Sequence, residues 1–286
     1  MTSAKAKAAT ECVLAIAMSL RERGDWILTS ASVCQGWTVE IDGDRYRVES
    51  VVSAFLEGPR APGFVFNVTI RSARGTRPIR ERILTTPWLQ DVKGRLGQNY
   101  ASDDIRPERF SLVRVLRGTS DPSTVLAELR HIAAAVEGRT LGRREITARS
   151  PRAKESKRPR DDVWKIIDAL GPTGWRVSSI AQDLESQVQH DGCRWHVSIG
   201  FIALVESAEN RPGFVGTVNS WSTRGEREKR RNPIAKVRAL LRKNGYRQLA
   251  ETHYQHWHRG LGLRAANGEV ELLGRAMRTI VGAGTA

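Results

Sequence analysis

Two stretches decide how this chain is read, residues 14–26 (LAIAMSLRERGDW) and residues 163–175 (VWKIIDALGPTGW). Each spaces apolar residues as one face of a helix and closes on a tryptophan, with Trp26 and Trp175 at an offset of 149. The offset persists outward. Arg45-Tyr46-Arg47-Val48 falls on Arg194-Trp195-His196-Val197, Ala54 on Ala203 and Glu57 on Glu206. After one inserted residue, Pro62-Gly63-Phe64-Val65 falls on Pro212-Gly213-Phe214-Val215 and Arg74-Gly75 on Arg224-Gly225. Val125, Arg130 and Val136 then align with Val270, Arg275 and Val281 at an offset of 145. Ordered matches at nearly constant spacing predict a tandem duplication.

The expected domains are residues 1–138 and 161–286, joined by a solvated basic linker over 139–160 (RTLGRREITARSPRAKESKRPR). In each copy a helix comes first, on Val13, Ile16, Ala17 and Leu20 or on Val163, Ile166, Ile167 and Leu170. Strands are expected at 37–41, 46–56 and 64–71, and at 194–205 and 214–221, with turns at Gly43 and over 59–63. A second helix follows around Trp88, Val92 and Leu96 after Pro87, or on Ile234, Val237, Leu240 and Leu241, ending near Asn244-Gly245. A short strand (110–116; about 254–263) and a last helix (123–136; 269–281) complete the unit. The predicted order is α-β-β-β-α-β-α, an α+β unit with a mostly antiparallel sheet.

Composition bounds the partners. Of 286 residues 40% are hydrophobic and 27% charged, enough to bury cores. Cys12, Cys34 and Cys193 form neither a disulfide framework nor paired metal-ligand spacing, which points to a reducing, cytoplasmic setting. Lys5 and Lys7 ahead of residues 12–20 (CVLAIAMSL) imitate a signal peptide, but the run is short and its pattern recurs at 163–170, so it reads as structural. No run reaches the length of a membrane span, and no membrane partner is expected.

The net charge of +15 is localised. Residues 71–95 carry +5, residues 223–247 carry +8 and the linker +7, so the remainder is net acidic. The basic segments start at strand ends and run toward helices. They supply Arg71, Arg74, Arg77, Arg80 and Arg82 in one copy, and Arg224, Arg227, Lys229, Arg230, Arg231, Arg238, Arg242 and Lys243 in the other. Arg152, Lys154, Lys157, Arg158 and Arg160 come from the linker. Of the 46 basic residues 37 are Arg, whose planar fork grips phosphate or a guanine edge with two bonds. These residues predict a non-enzymatic nucleic-acid-binding protein, DNA favoured over RNA. Trp37, Trp221 and Trp257 would stack on bases where exposed, whereas Trp26 and Trp175 are expected in the core.

Other constellations carry less. In His253-Tyr254-Gln255-His256-Trp257-His258 a strand would place His256 and His258 on one face and His253 on the other, while a helix would pair His253 with His256. No carboxylate or cysteine is placed to complete a site, so neither a metal site nor a cofactor is expected there, and a surface or phosphate-contacting role is. Cys193 and His196 lack an orienting partner and read as ordinary strand residues. Asp42, Asp44 and Glu49 are the carboxylates on which a metal-dependent nuclease would rest, with Asp191 in the second copy, but Asp42-Gly43-Asp44 reads first as a hairpin turn. No P-loop, dinucleotide fingerprint, nucleophile elbow or HExxH is present. The predicted element order resembles that of type III secretion chaperone-like domains. That resemblance implies the rival reading, a protein-interaction or chaperone-like tandem module; an acidic protein is the partner that the basic charge would suit in that case.

Overall fold

A computed structural model describes residues 4–57, 61–72, 86–106, 109–117, 122–138, 159–170, 174–206, 211–222, 232–260 and 262–282. It mixes helices with extensive antiparallel sheet and divides into two compact units. The terminal unit comprises Met1–Thr29 with Ser178–Ala286, and the central unit Ser30–Val177. The units therefore do not run with the two halves of the chain, because the first helix of each half belongs with strands of the other half.

In the central unit, β1 (Ile27–Ile41), β2 (Asp44–Glu57), β3 (Ala61–Ser72), β4 (Ala101–Arg106) and β5 (Arg109–Arg117) lie in the order β4-β5-β3-β2-β1. Helices α2 (Pro87–Leu96), α3 (Pro122–Val136) and α4 (Pro159–Ala169) accompany them. Strand alternation directs Tyr46, Val48, Phe64, Phe66, Val68, Ile70, Phe110 and Leu112 to one face, where all are buried. Helix α4 packs on β2, β3 and α3 through Val163, Ile166 and Ile167, which its helical spacing brings onto one side.

In the terminal unit, β6 (Arg176–His190), β7 (Cys193–Glu206), β8 (Arg211–Ser222), β9 (Arg247–Ala250) and β10 (His253–Arg259) follow the order β6-β7-β8-β10-β9. Helix α1 (Ala4–Arg23) packs on β7, β8 and the last helix, α6 (Leu263–Gly282). Its buried stripe is Ala9, Val13, Ile16, Ala17 and Leu20, and Gln182 Nε2 donates to the Ala17 carbonyl at 3.2 Å. The helix expected over Ile234 to Leu241 is a 3₁₀ turn (Pro233–Val237) running into α5 (Arg238–Lys243). Asn232 caps the turn, its side chain accepting from the Ile234 N–H at 2.9 Å.

The structure corrects the predicted order, since each unit holds five strands rather than four. The strands with no expected range are β4, β6 and β9, and the segment expected as a strand over about 254–263 ends at Arg259, with Leu263 opening α6. β9 is exposed throughout, so it lacks the apolar alternation that marks a half-buried strand. The turn expected at Gly43 is present, with Asp42 and Gly43 at φ of 51° and 80°, whereas Ala61–Gly63 of the turn expected over 59–63 belong to β3; Asp191 and Gly192, at 53° and 71°, form a second turn of the same kind. Paired left-handed residues of this kind join strands whose twist they match. Trp26 and Trp175 are both buried.

Candidate functional site

Of the basic residues singled out, Arg71 ends β3 and is exposed, and Arg238, Arg242 and Lys243 lie on α5 with exposed side chains. Arg160 falls in α4. Arg74, Arg77, Arg80, Arg82, Arg224, Arg227, Lys229, Arg230, Arg231, Arg152, Lys154, Lys157 and Arg158 lie outside the described residues.

At the end of β3 the structure adds partners that sequence reasoning missed. Arg71 pairs across the sheet with Arg47 of β2 on one side and Arg109 of β5 on the other. Three arginines thus stand side by side on adjacent strands, on the face opposite the buried one, at the sheet's spacing of about 4.8 Å per strand. Like charges directly opposite repel. Arg47 and Arg71 are exposed, and Arg109 is half-buried with its Nε donating to Ser111 Oγ at 3.3 Å. The same face carries Glu49, opposite Thr69, and Glu40, opposite Arg45 and 3.7 Å from its guanidinium. The signal was in the alternation, since Arg47 and Arg71 share a parity with their strands' exposed positions.

At the corresponding register of the terminal unit, His196 pairs with Trp221. Their rings stack at 4.3 Å and 30°, and Trp221 remains 43% exposed. Trp257 is 38% exposed, with the Arg259 guanidinium 5.9 Å from its ring centre. Trp37 is half-buried, donating to Glu137 Oε1 at 3.3 Å and meeting Trp175 edge-on.

A second constellation lies on the buried side of the terminal unit. β10 is a strand, so His256 and His258 share a face and His253 points the other way, bonded to Asn219. The ring centres of His256 and His258 are 3.9 Å apart. A carboxylate arrives from α6: Glu269, 8% exposed, places Oε2 3.2 Å from His258 Nε2. Tyr246 donates its hydroxyl proton to Glu269 Oε1. One potential ligand atom from each of His256, His258 and Glu269 lies within 4.8 Å of the others. Burial holds His256 toward its neutral form, His258 adds to this, and Glu269 opposes it. Burial, then Glu269, pushes the Tyr246 phenol well above its ordinary range, so it stays protonated and donating.

The remaining candidates do not assemble. Asp42 sits in the turn, and Asp44 and Glu49, five positions apart on β2, face opposite sides of the sheet. Cys193 and His196 likewise project from opposite faces of β7, Cys193 buried and His196 half-buried. Among the described helices none is long and apolar enough to cross a membrane. No family model, curated protein or solved structure matches the chain.

Proposed function

We propose that the chain is a nucleic-acid-binding protein, DNA favoured over RNA, which acts without catalysing a reaction. The observation that supports this reading is the cross-strand row Arg47, Arg71, Arg109. It stands where β3 leads into residues 73–85, a stretch with four further arginines. Mutual repulsion in such a row is relieved by a phosphate backbone, whose charges engage several guanidiniums at once. In the terminal unit the corresponding place offers the His196/Trp221 stack, a surface on which a base can lie. It too precedes a basic stretch, residues 223–231.

The proposal includes common descent of the two units' strand sets. β1, β2 and β3 have 15, 14 and 12 residues, and β6, β7 and β8 the same lengths. Two phosphate-gripping or base-stacking surfaces on one chain raise apparent affinity through effective concentration.

The test is fluorescence anisotropy with duplex DNA, single-stranded DNA and RNA over a salt series, comparing wild type with Arg47→Ala/Arg71→Ala. Each phosphate contact on duplex DNA contributes about 0.9 to the slope of log K against log salt, so the double variant is expected to lose about 1.8. An unchanged slope refutes the role of the row. Absence of binding to every nucleic acid at low salt refutes the function and directs the search to an acidic protein partner.

A further inference from the structure

The His256, His258, Glu269 cluster has a counterpart in the central unit that shows what it lacks. There Glu128 of α3, with its side chain 11% exposed, accepts from Tyr100 Oη at 2.6 Å and from Arg114 Nη1 of β5 at 2.6 Å. The arrangement is a buried carboxylate held by a tyrosine and neutralised by a cation. The registers align the two sites: Phe66 pairs with Arg114 and Phe64 with Leu116, as Gly216 pairs with His256 and Phe214 with His258. Where the central unit has Arg114, Leu116 and Phe66, the terminal unit therefore has His256, His258 and Gly216.

Each replacement removes a fixed charge or bulk and adds a ligand or room. A Cβ at Gly216 would overlap the Tyr246 hydroxyl and come within 3.0 Å of Glu269 Oε1. A Cβ at Gly245 would lie 2.9 Å from His256 Nε2. Burying an uncompensated carboxylate is expensive, and no arginine takes the place of Arg114 here. What stands there is a pair of imidazoles, of which His256 Nδ1 and His258 Nε2 are buried and make no hydrogen bond. His258 Nε2 lies close to Glu269 Oε2 without the alignment of an N–H donor.

We propose that the terminal unit binds a divalent transition-metal ion, Zn²⁺ by its ligand class, through His256, His258 and Glu269. Two imidazoles and a carboxylate are a zinc ligand set that leaves a fourth position for water. The 3.2 Å between His258 Nε2 and Glu269 Oε2 is close to the roughly 3.3–3.5 Å edge of a tetrahedron with zinc-length bonds. Tyr246 is the positioning residue, holding Oε1 so that Oε2 faces the imidazoles. His256 also lines an open groove of about 510 Å³ with Gly245, Arg247, Leu249, Gln255 and Trp257, which supplies a way in from solvent. The ion does for Glu269 what Arg114 does for Glu128, and it ties β10 to α6.

The test uses the full chain, stripped with a chelator and titrated with Zn²⁺ by calorimetry and thermal unfolding, with Co²⁺ as a spectroscopic probe. Expected are one Zn²⁺ per chain, a higher Tm with the ion, and a Co²⁺ spectrum without thiolate charge transfer. His256→Gln and His258→Gln should each weaken binding about 100-fold or more, and Tyr246→Phe about 10- to 100-fold. The pair His256→Arg with His258→Leu copies the central unit, so it should stay folded by circular dichroism and bind no Zn²⁺. Three results would overturn the proposal: no Zn²⁺ bound by the wild type, binding that survives both single histidine variants, or a thiolate band placing the ion on a cysteine. Should the histidine variants fail to fold, the wild-type stoichiometry and Co²⁺ spectrum still decide.

Discussion

Gly216→Ala tests whether the terminal unit is built around the Tyr246–Glu269 pair. The added methyl would overlap the Tyr246 hydroxyl and press to 3.1 Å from Tyr246 Cζ and 3.0 Å from Glu269 Oε1. Neither neighbour has space to withdraw, with Tyr246 at 4% and Glu269 at 8% exposure. Overpacking costs about 1–3 kcal/mol and a disturbed hydrogen bond to a charged group about 1.5–3, offset by about 0.4–1 from the stiffer unfolded chain. The net expectation is a loss of about 3 kcal/mol. Gly36→Ala is the control, because its new Cβ meets only the Val48 carbonyl, at 3.8 Å. There alanine should be neutral or gain up to about 1 kcal/mol. Urea unfolding in chelator, followed by hydrogen exchange of peptides from β8 and α6 for Gly216→Ala and from β1 and β2 for Gly36→Ala, reads each unit by itself. Equal stabilities of the two variants would refute the reasoning, since the pair would then yield without cost.

In the central unit, Arg114→Met should cost about 3 kcal/mol by stranding Glu128, and adding Glu128→Gln should recover at least half. A double-mutant cycle by urea unfolding checks this, and a coupling under about 0.5 kcal/mol would rule the pair out as a unit. Burial raises the Asp183 carboxyl from 3.8 to about 6, partly offset by the bond from Ser198. Its ionised form therefore penalises the folded state, so stability should fall as pH rises from about 4 to about 6 and stay lowered above that. Asp183→Asn should remove that slope and add at most about 3 kcal/mol at pH 7, and thermal melts of both proteins across pH 3.5–7.5 would expose a slope of the wrong sign. Trp221→Ala should weaken single-stranded DNA binding by about 1–3 kcal/mol with the salt slope unchanged. Anisotropy that shows a flattened slope instead would mean that Trp221 does not act by stacking.

Local chemistry was legible where one residue type forces one backbone. Asp42-Gly43 declared its turn because few residues tolerate a left-handed conformation. The apolar stripes of α1 and α4 declared helices because burial selects one face. Segments under weaker selection did not show themselves. The first half of β1, residues 27–36 (ILTSASVCQG), is small and polar along much of its length, and β9 has all four residues exposed, so neither carries a two-residue hydrophobic period.

From the sequence alone follow the charge segregation, the turn at Asp42-Gly43 and the apolar stripes of the helices, all consequences of composition or of a period along one element. Tertiary structure decided the rest. It set Arg47 and Arg109 beside Arg71, placed α1 on β7 and β8, and brought Glu269 to the two histidines. Strand register and helix docking join residues far apart in the chain. Because they are fixed by the fit of whole faces, no local pattern around His256 could announce a carboxylate on the next helix.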